Sequence, residues 1–236
     1  MIGASTSSQG FNREGRYVSD ESSDTNAMIY GGQDAKPGDN PHMCSLRENG
    51  RHACGASIIG DQWVVTAAHC VLKYGTHIVD QIIYNKYDWK GPNDIALIKI
   101  NGKFELGTKY INKIAIAGQD TDVAPGSIVK TIGWGLSSPT TFPEILQTLD
   151  VPVVKRDDCQ SVYKINPDNF TVDETSICAG GGGREPCSMD SGSPLTFNNT
   201  LVGLTSWGKP CGHPGFPTVF TRVAKFRDWI REHTSI

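Results

Sequence analysis

Three short blocks carry groups that could do chemistry together: Thr66-Ala67-Ala68-His69-Cys70, Asn93-Asp94-Ile95-Ala96-Leu97 and Asp190-Ser191-Gly192-Ser193-Pro194. In chain order they supply an imidazole, a carboxylate and a hydroxyl. An alcohol is a weak nucleophile at neutral pH. A neutral imidazole can take its proton, and a carboxylate can orient that imidazole and stabilise its charged form. Singly, each residue has an ordinary reading: His69 as a core histidine, Asp94 as a loop carboxylate, Ser191 as a turn serine. Jointly, in these contexts and this order, they point to nucleophilic attack on a carbonyl.

The cysteines give a second set. They are Cys44, Cys54, Cys70, Cys159, Cys178, Cys187 and Cys211. No CxxC pair occurs, which argues against a zinc centre. A disulfide framework made in an oxidising compartment fits better, and the odd count leaves one thiol over. The sequons Asn169-Phe170-Thr171 and Asn198-Asn199-Thr200 are compatible with secretion. Met1 to Ala4 is too short to be the apolar region of a signal peptide.

The elements that must position these groups read as β structure. The chain has 236 residues, enough for one large β domain or two small ones. Residues 1–28 are rich in Ser, Asp, Asn and Gly and read as an unpacked tail or propeptide. From Ile29-Tyr30-Gly31-Gly32 onward, short apolar runs alternate with turn residues. They are Ala56 to Ile59, Trp63 to Val65, His77 to Tyr84, Ile95 to Ile100, Ile128 to Ile132, Leu149 to Val154, and Leu201 to Trp207. β-branched residues dominate, with Gly or Pro between runs, which predicts an all-β sandwich or barrel. Val223, Phe226, Trp229 and Ile230 recur at helical spacing and predict a terminal helix. Gly180 to Gly183 forms a loop just before the Ser191 block. The net charge of −3 gives no basic footprint for nucleic acid. No apolar run approaches the roughly 18 residues of a membrane span.

With these blocks in place, the chain resembles the chymotrypsin-like (trypsin-fold) serine peptidases over residues 29–236, and it is loosely similar to mite members of that family. The resemblance implies an all-β fold of two antiparallel β-barrels with the active site in the cleft between them and a C-terminal helix. It implies that Ser191 is the nucleophile, His69 the base and Asp94 the residue that fixes the His69 tautomer. Gly133-Trp134-Gly135 and Ser206-Trp207-Gly208 match family strand ends. Ser206, Trp207 and Gly208 then pair with substrate backbone as an added strand. The implied disulfides are Cys54–Cys70, Cys159–Cys178 and Cys187–Cys211, leaving Cys44 as a small buried hydrophobe. Ile29 resembles the new N-terminus that family members acquire on activation, where the freed amine pairs with the carboxylate before the nucleophile, here Asp190. The residue before that cut is Met28, so an ordinary trypsin-like activator should not make it. With residues 1–28 attached, the chain is expected to be a zymogen.

Four departures from the family pattern matter. Met189 stands where the family has a glycine whose N–H, with that of Ser191, binds the oxyanion. If the Met189 peptide turns away, one donor is lost, which typically costs about 10²–10³ in rate. Glu185 falls at the base of the specificity pocket and Thr218 on its wall, opposite Gly208. A carboxylate base favours Lys or Arg, whereas Thr218 narrows the path, so basic, small and medium P1 residues all stay open. His69 and Asp94 are 25 positions apart, fewer than the family pattern, and the missing length would hold a loop and at least one strand. The first barrel is therefore expected to be shortened. The family's calcium loop lies in this stretch, so neither a calcium site nor any other metal or cofactor is expected. Ser193 replaces a second glycine after the nucleophile.

Two functions follow. The first is a secreted serine endopeptidase, a monomer acting on polypeptides through an acyl-enzyme, with protein protease inhibitors as further partners and no nucleic-acid or membrane partner. The second is a catalytically inactive, protease-fold binding protein. An esterase or lipase of another fold would need a G-x-S-x-G elbow, which the Ser191 block lacks.

Overall fold

The computed structural model describes residues 2–3, 32–73, 79–84, 92–135, 143–164, 170–183, 186, 190–209 and 213–236. In chain order the strands are β1 (Ile2–Gly3), β2 (Gln33–Asp34), β3 (Met43–Glu48), β4 (Arg51–Ile58), β5 (Trp63–Thr66), β6 (Val79–Tyr84) and β7 (Ala96–Ile100). They continue as β8 (Ala115–Ile116), β9 (Ile128–Gly133), β10 (Gln147–Val154), β11 (Ser176–Ala179), β12 (Pro194–Phe197), β13 (Thr200–Trp207) and β14 (Thr218–Arg222). The helices are α1 (Ala68–Lys73), α2 (Arg156–Tyr163) and α3 (Arg227–Thr234), the last preceded by a 3₁₀ turn over Val223–Phe226.

Two sheets result. The second is a closed ring of six antiparallel strands, β9–β10–β11–β14–β13–β12 and back to β9. β2 adds to β10, and β8 adds to β13 in parallel. Closure removes the free edges that a sheet otherwise presents. The first sheet runs β1–β3–β4–β5–β7–β6. Among the described residues, the segment between His69 and Asp94 supplies one strand, β6, and no pairing joins β6 to the far side of this sheet. The outer edge of β3 instead takes β1, with Ile2 opposite Leu46 and Gly3 opposite Ser45. The start of the tail thus contributes a strand.

Each sheet encloses its own apolar core. Cys44, Ala56, Ile58, Val64, Ala96 and Ile98 fill the first. Val129, Leu149, Val151, Leu195 and Phe220 fill the second. A third cluster joins them: Val65, Ile95 and Leu97 from the first sheet meet Leu201 and Leu204 of β13 and Phe226 and Ile230 at the C-terminus. Fully burying one such side chain stabilises by about 1.5–3 kcal/mol, so this seam fixes the two sheets relative to each other. The site lies along that seam.

The predicted terminal helix is present but begins as a 3₁₀ turn. Ala224 packs into the second core while Val223 and Phe226 pack into the seam. A tighter turn lets neighbouring residues reach two different clusters. No helix among the described residues is long and apolar enough to cross a membrane.

Candidate active site

β5 ends at Thr66, and α1 follows at once, carrying His69 and Cys70. The Cys54–Cys70 disulfide ties this helix to β4. The Thr66 hydroxyl donates to the carbonyl of Gly55 on β4 at 2.8 Å. His69 is therefore held from both sides of its attachment point.

Asp94 precedes β7, after Asn93 in the left-handed region (φ 62°). The Asp94 side chain is buried, at 2% exposure, against 22% for His69. Among the described residues, three hydrogen bonds hold the Asp94 carboxylate and a fourth holds its backbone carbonyl. The His69 backbone N–H donates to Oδ1 at 2.9 Å, and His69 Nδ1 lies 2.7 Å from Oδ2. The Ser206 hydroxyl donates to Oδ2 at 2.5 Å, and the Thr221 hydroxyl donates to the Asp94 carbonyl at 2.7 Å. An ionised carboxylate only accepts, so Nδ1 carries the proton and Nε2 is left as the acceptor. Despite the shortened segment, Asp94 reaches His69.

Ser191 sits on the turn between Asp190 and β12, and this turn bridges the two sheets. Its carbonyl accepts from Gly55 N–H on β4 at 2.8 Å, while Gly192 N–H donates to Thr205 on β13 at 2.7 Å. Ser193 N–H closes the turn on the Asp190 carbonyl at 2.9 Å. Gly192 has φ +76°, a conformation that a side chain disfavours. A Cβ there would clash with Thr66 Oγ1 and come within 2.5 Å of the Gly55 carbonyl and 3.1 Å of Ala67 N. The turn thus lies directly on the residues that lead into His69. Ser191 is half-buried.

Asp190 is fully buried, and its Oδ1 accepts from Gly135 N–H at 2.7 Å. At the end of β13, Trp207 is half-buried between Phe170, stacked at 4.9 Å, and the edge of Tyr163 at 4.8 Å. The Tyr163 hydroxyl donates to the Pro217 carbonyl at 2.6 Å. Thr218, at 5% exposure, faces Gly208: a Cβ built on Gly208 would lie 3.6 Å from Thr218 Cα and 3.9 Å from its Oγ1. Gly208 itself is exposed.

The structure thus brings together His69, Asp94, Ser206 and the Ser191 turn, and it sets Gly208 against Thr218, next to Trp207. Met189, Glu185, Ile29 and the cysteines 187 and 211 lie outside the described residues. Cys159–Cys178 is formed and ties α2 to β11. Cys44 is a buried free thiol, pushed up to about 12 by desolvation. The ring of His69 and the sulfurs of Cys54 and Cys70 lie within 4.8 Å of one another. The two sulfurs are joined as a disulfide, so they are not thiolate ligands.

Sequence reasoning missed three contributors. Ser206 was read only as a substrate-strand residue, yet its hydroxyl binds Asp94. Thr221 and Phe170 gave no signal, because each acts through a partner far away in the chain.

The family model for trypsin matches residues 29–230. The chain is 36% identical over 231 residues to an anionic trypsin of Canis lupus familiaris, covering 88% of this chain and 90% of that protein. It is 34% identical over 233 residues to brachyurin of Leptuca pugilator, covering 88% and 99%. It is 36% identical over 228 residues to trypsin Blo t 3 of Blomia tropicalis, covering 86% and 85%. The resemblance seen in the His69, Asp94 and Ser191 blocks is therefore one of descent, and the chain belongs to the trypsin family of serine peptidases.

Proposed function

We propose that this chain is a secreted serine endopeptidase in which Ser191, His69 and Asp94 act as nucleophile, base and orienting carboxylate. The observation that carries this reading is the 2.7 Å contact of His69 Nδ1 with a buried Asp94 that Ser206 also holds. That contact leaves His69 Nε2 free of the proton and able to accept one. Ser191 Oγ attacks the scissile carbonyl carbon, forming the C–O bond as its proton passes to Nε2. The N–H groups of Ser191 and Met189 bind the oxyanion. The C–N bond then breaks, and Nε2 gives its proton to the leaving amine. A water, deprotonated by the same imidazole, hydrolyses the acyl-enzyme and restores Ser191.

The substrate is a polypeptide, laid as an extra antiparallel strand along Ser206, Trp207 and Gly208. Thr218 narrows the pocket whose base carries Glu185, so the P1 side chain meets a steric limit before it meets the charge. Residues 1–28 are a propeptide and residues 29–236 the peptidase domain. Cleavage before Ile29 frees an amine that pairs with Asp190 and completes the oxyanion site. The buried Asp190 carboxylate supports this, as does a family match that begins at residue 29. Two disulfides support maturation in an oxidising compartment.

The test is turnover of peptide substrates by the chain cut before Ile29, with Ser191→Ala alongside. Turnover lost in Ser191→Ala supports the proposal. No turnover in either protein favours a protease-fold binding protein, the reading that Met189, Thr218 and the short segment between His69 and Asp94 motivate.

A further inference from the structure

Among the described residues, the first sheet is one strand short of the second. The second closes on itself with six strands, all drawn from residues 128–222. Residues 43–100 give the first sheet five: β3, β4, β5, β7 and β6. Its sixth strand comes from outside that stretch. It is β1, at the start of the chain, on the outer edge of β3.

The hydrogen bonds around β4 fix which way each β3 residue faces. Opposite residues of an antiparallel pair alternate: one pair exchanges both main-chain bonds, and the next turns its groups away from each other. Ile58 N–H donates to the His42 carbonyl at 2.9 Å, so position 42 faces β4, and Cys44 and Leu46 face it too. Gly55, opposite Ser45, turns the other way. Its N–H donates to the Ser191 carbonyl at 2.8 Å, and its carbonyl accepts from the Thr66 hydroxyl at 2.8 Å. Met43 and Ser45 therefore point N–H and C=O at the outer edge. Met43 N–H is met by the Asn40 carbonyl at 3.1 Å. Ser45 is met by β1, where Gly3 stands opposite it. Ser45 is buried, and buried main-chain groups need partners.

We propose that the outer edge at Ser45 is a strand-acceptor site for an extended polypeptide segment. Its occupant is this chain's own N-terminus, Ile2–Gly3, standing in for the strand missing between His69 and Asp94. Recognition of this kind draws its affinity from main-chain hydrogen bonds. An occupant tethered in the same chain acts at about millimolar effective concentration, well above that of a second copy in dilute solution. The filled edge also blocks strand pairing between copies, the hazard of an open edge. One row of main chain runs from Gly3 through Ser45 and Gly55 to the Ser191 carbonyl. The start of the tail thus closes an edge two strands away from the nucleophile turn. This role is separate from removal of the tail and does not depend on where the chain is cut.

The test is amide hydrogen exchange in the uncut full chain, read residue by residue by NMR. The amides of Cys44 and Leu46 are internal references, because they face β4. Three proteins are compared: the parent, a chain lacking residues 1–4, and full-length Gly3→Pro. The proline keeps the chain length but removes the donor that faces Ser45 and puts a ring in its place. Expected is exchange at Ser45 faster by about 10-fold in both variants, the loss of one hydrogen bond, with Cys44 and Leu46 unchanged. Equal exchange at Ser45 in all three proteins overturns the proposal. Faster exchange at all three amides alike also overturns it, because the sheet then opens as a whole and Ser45 marks no distinct site. Sedimentation of the parent supplies the last arm. A dimer that loses Ser45 protection on dilution puts a second copy on the edge and overturns the assignment to the chain's own N-terminus.

Discussion

The Ser206 hydroxyl donates to Asp94 Oδ2 at 2.5 Å, on the same oxygen that takes His69 Nδ1–H. Ser206 comes from β13 of the closed ring, whereas Asp94 leads into β7 of the first sheet and His69 sits on α1, directly after β5 of that sheet. This bond ties the orientation of the imidazole to the relative placement of the two sheets. A hydrogen bond to a charged group contributes about 1.5–3 kcal/mol, so Ser206→Ala should lower kcat/KM by about 10- to 100-fold. Peptide turnover measured against the parent checks this, with kcat expected to fall more than KM changes.

Gly192→Ala should disable the site and destabilise the fold together. The new methyl group meets Thr66 Oγ1 and the Gly55 carbonyl, and the backbone at φ +76° is itself unfavourable for alanine. A loss of at least about 2 kcal/mol is expected in urea denaturation. Fluorophosphonate labelling of the folded fraction should also fall, because relief of the clash moves the Ser191 turn away from Thr66 and Ala67.

His42 sets an acid limit to stability. It is 8% exposed, Nε2 has no partner among the described residues, and burial lowers its pKa to about 4. Unfolded, an imidazole titrates near 6.5. Between these values the unfolded chain binds a proton that the folded chain refuses, so stability falls as pH drops from 6.5 toward 4. The loss from this residue is about 3 kcal/mol by pH 4. His42→Leu should flatten the decline between pH 7 and pH 4.5, as read by urea midpoints. An equal decline in both proteins would contradict it.

How far the fold was legible follows from what each element depends on. Strands with long β-branched runs between turn residues, such as β9 and β10, were readable from the sequence. β11, β12 and β14 were not: they have four or five residues and are buried along nearly their whole length, so no polar alternation marks them. β1 arose from a polar tail because an edge of β3 was open to it, a tertiary cause with no local signature. At the site, His69, Asp94 and Ser191 were readable because their neighbours form set blocks. The Ser206 and Thr221 hydroxyls reach Asp94 across 112 and 127 positions, and no spacing rule reports that. Ser193 was read only as the replacement of a second glycine, and its burial with no hydrogen-bond partner for Oγ among the described residues had no sign in the sequence.

The central claim is that Ser191 is a working nucleophile released by cleavage before Ile29. Fluorophosphonate labelling of the full chain before and after a designed cut at that bond, with Ser191→Ala as the control, tests it most directly. The account predicts covalent labelling of Ser191 after the cut, little before it and none in Ser191→Ala. No labelling in either form would contradict it.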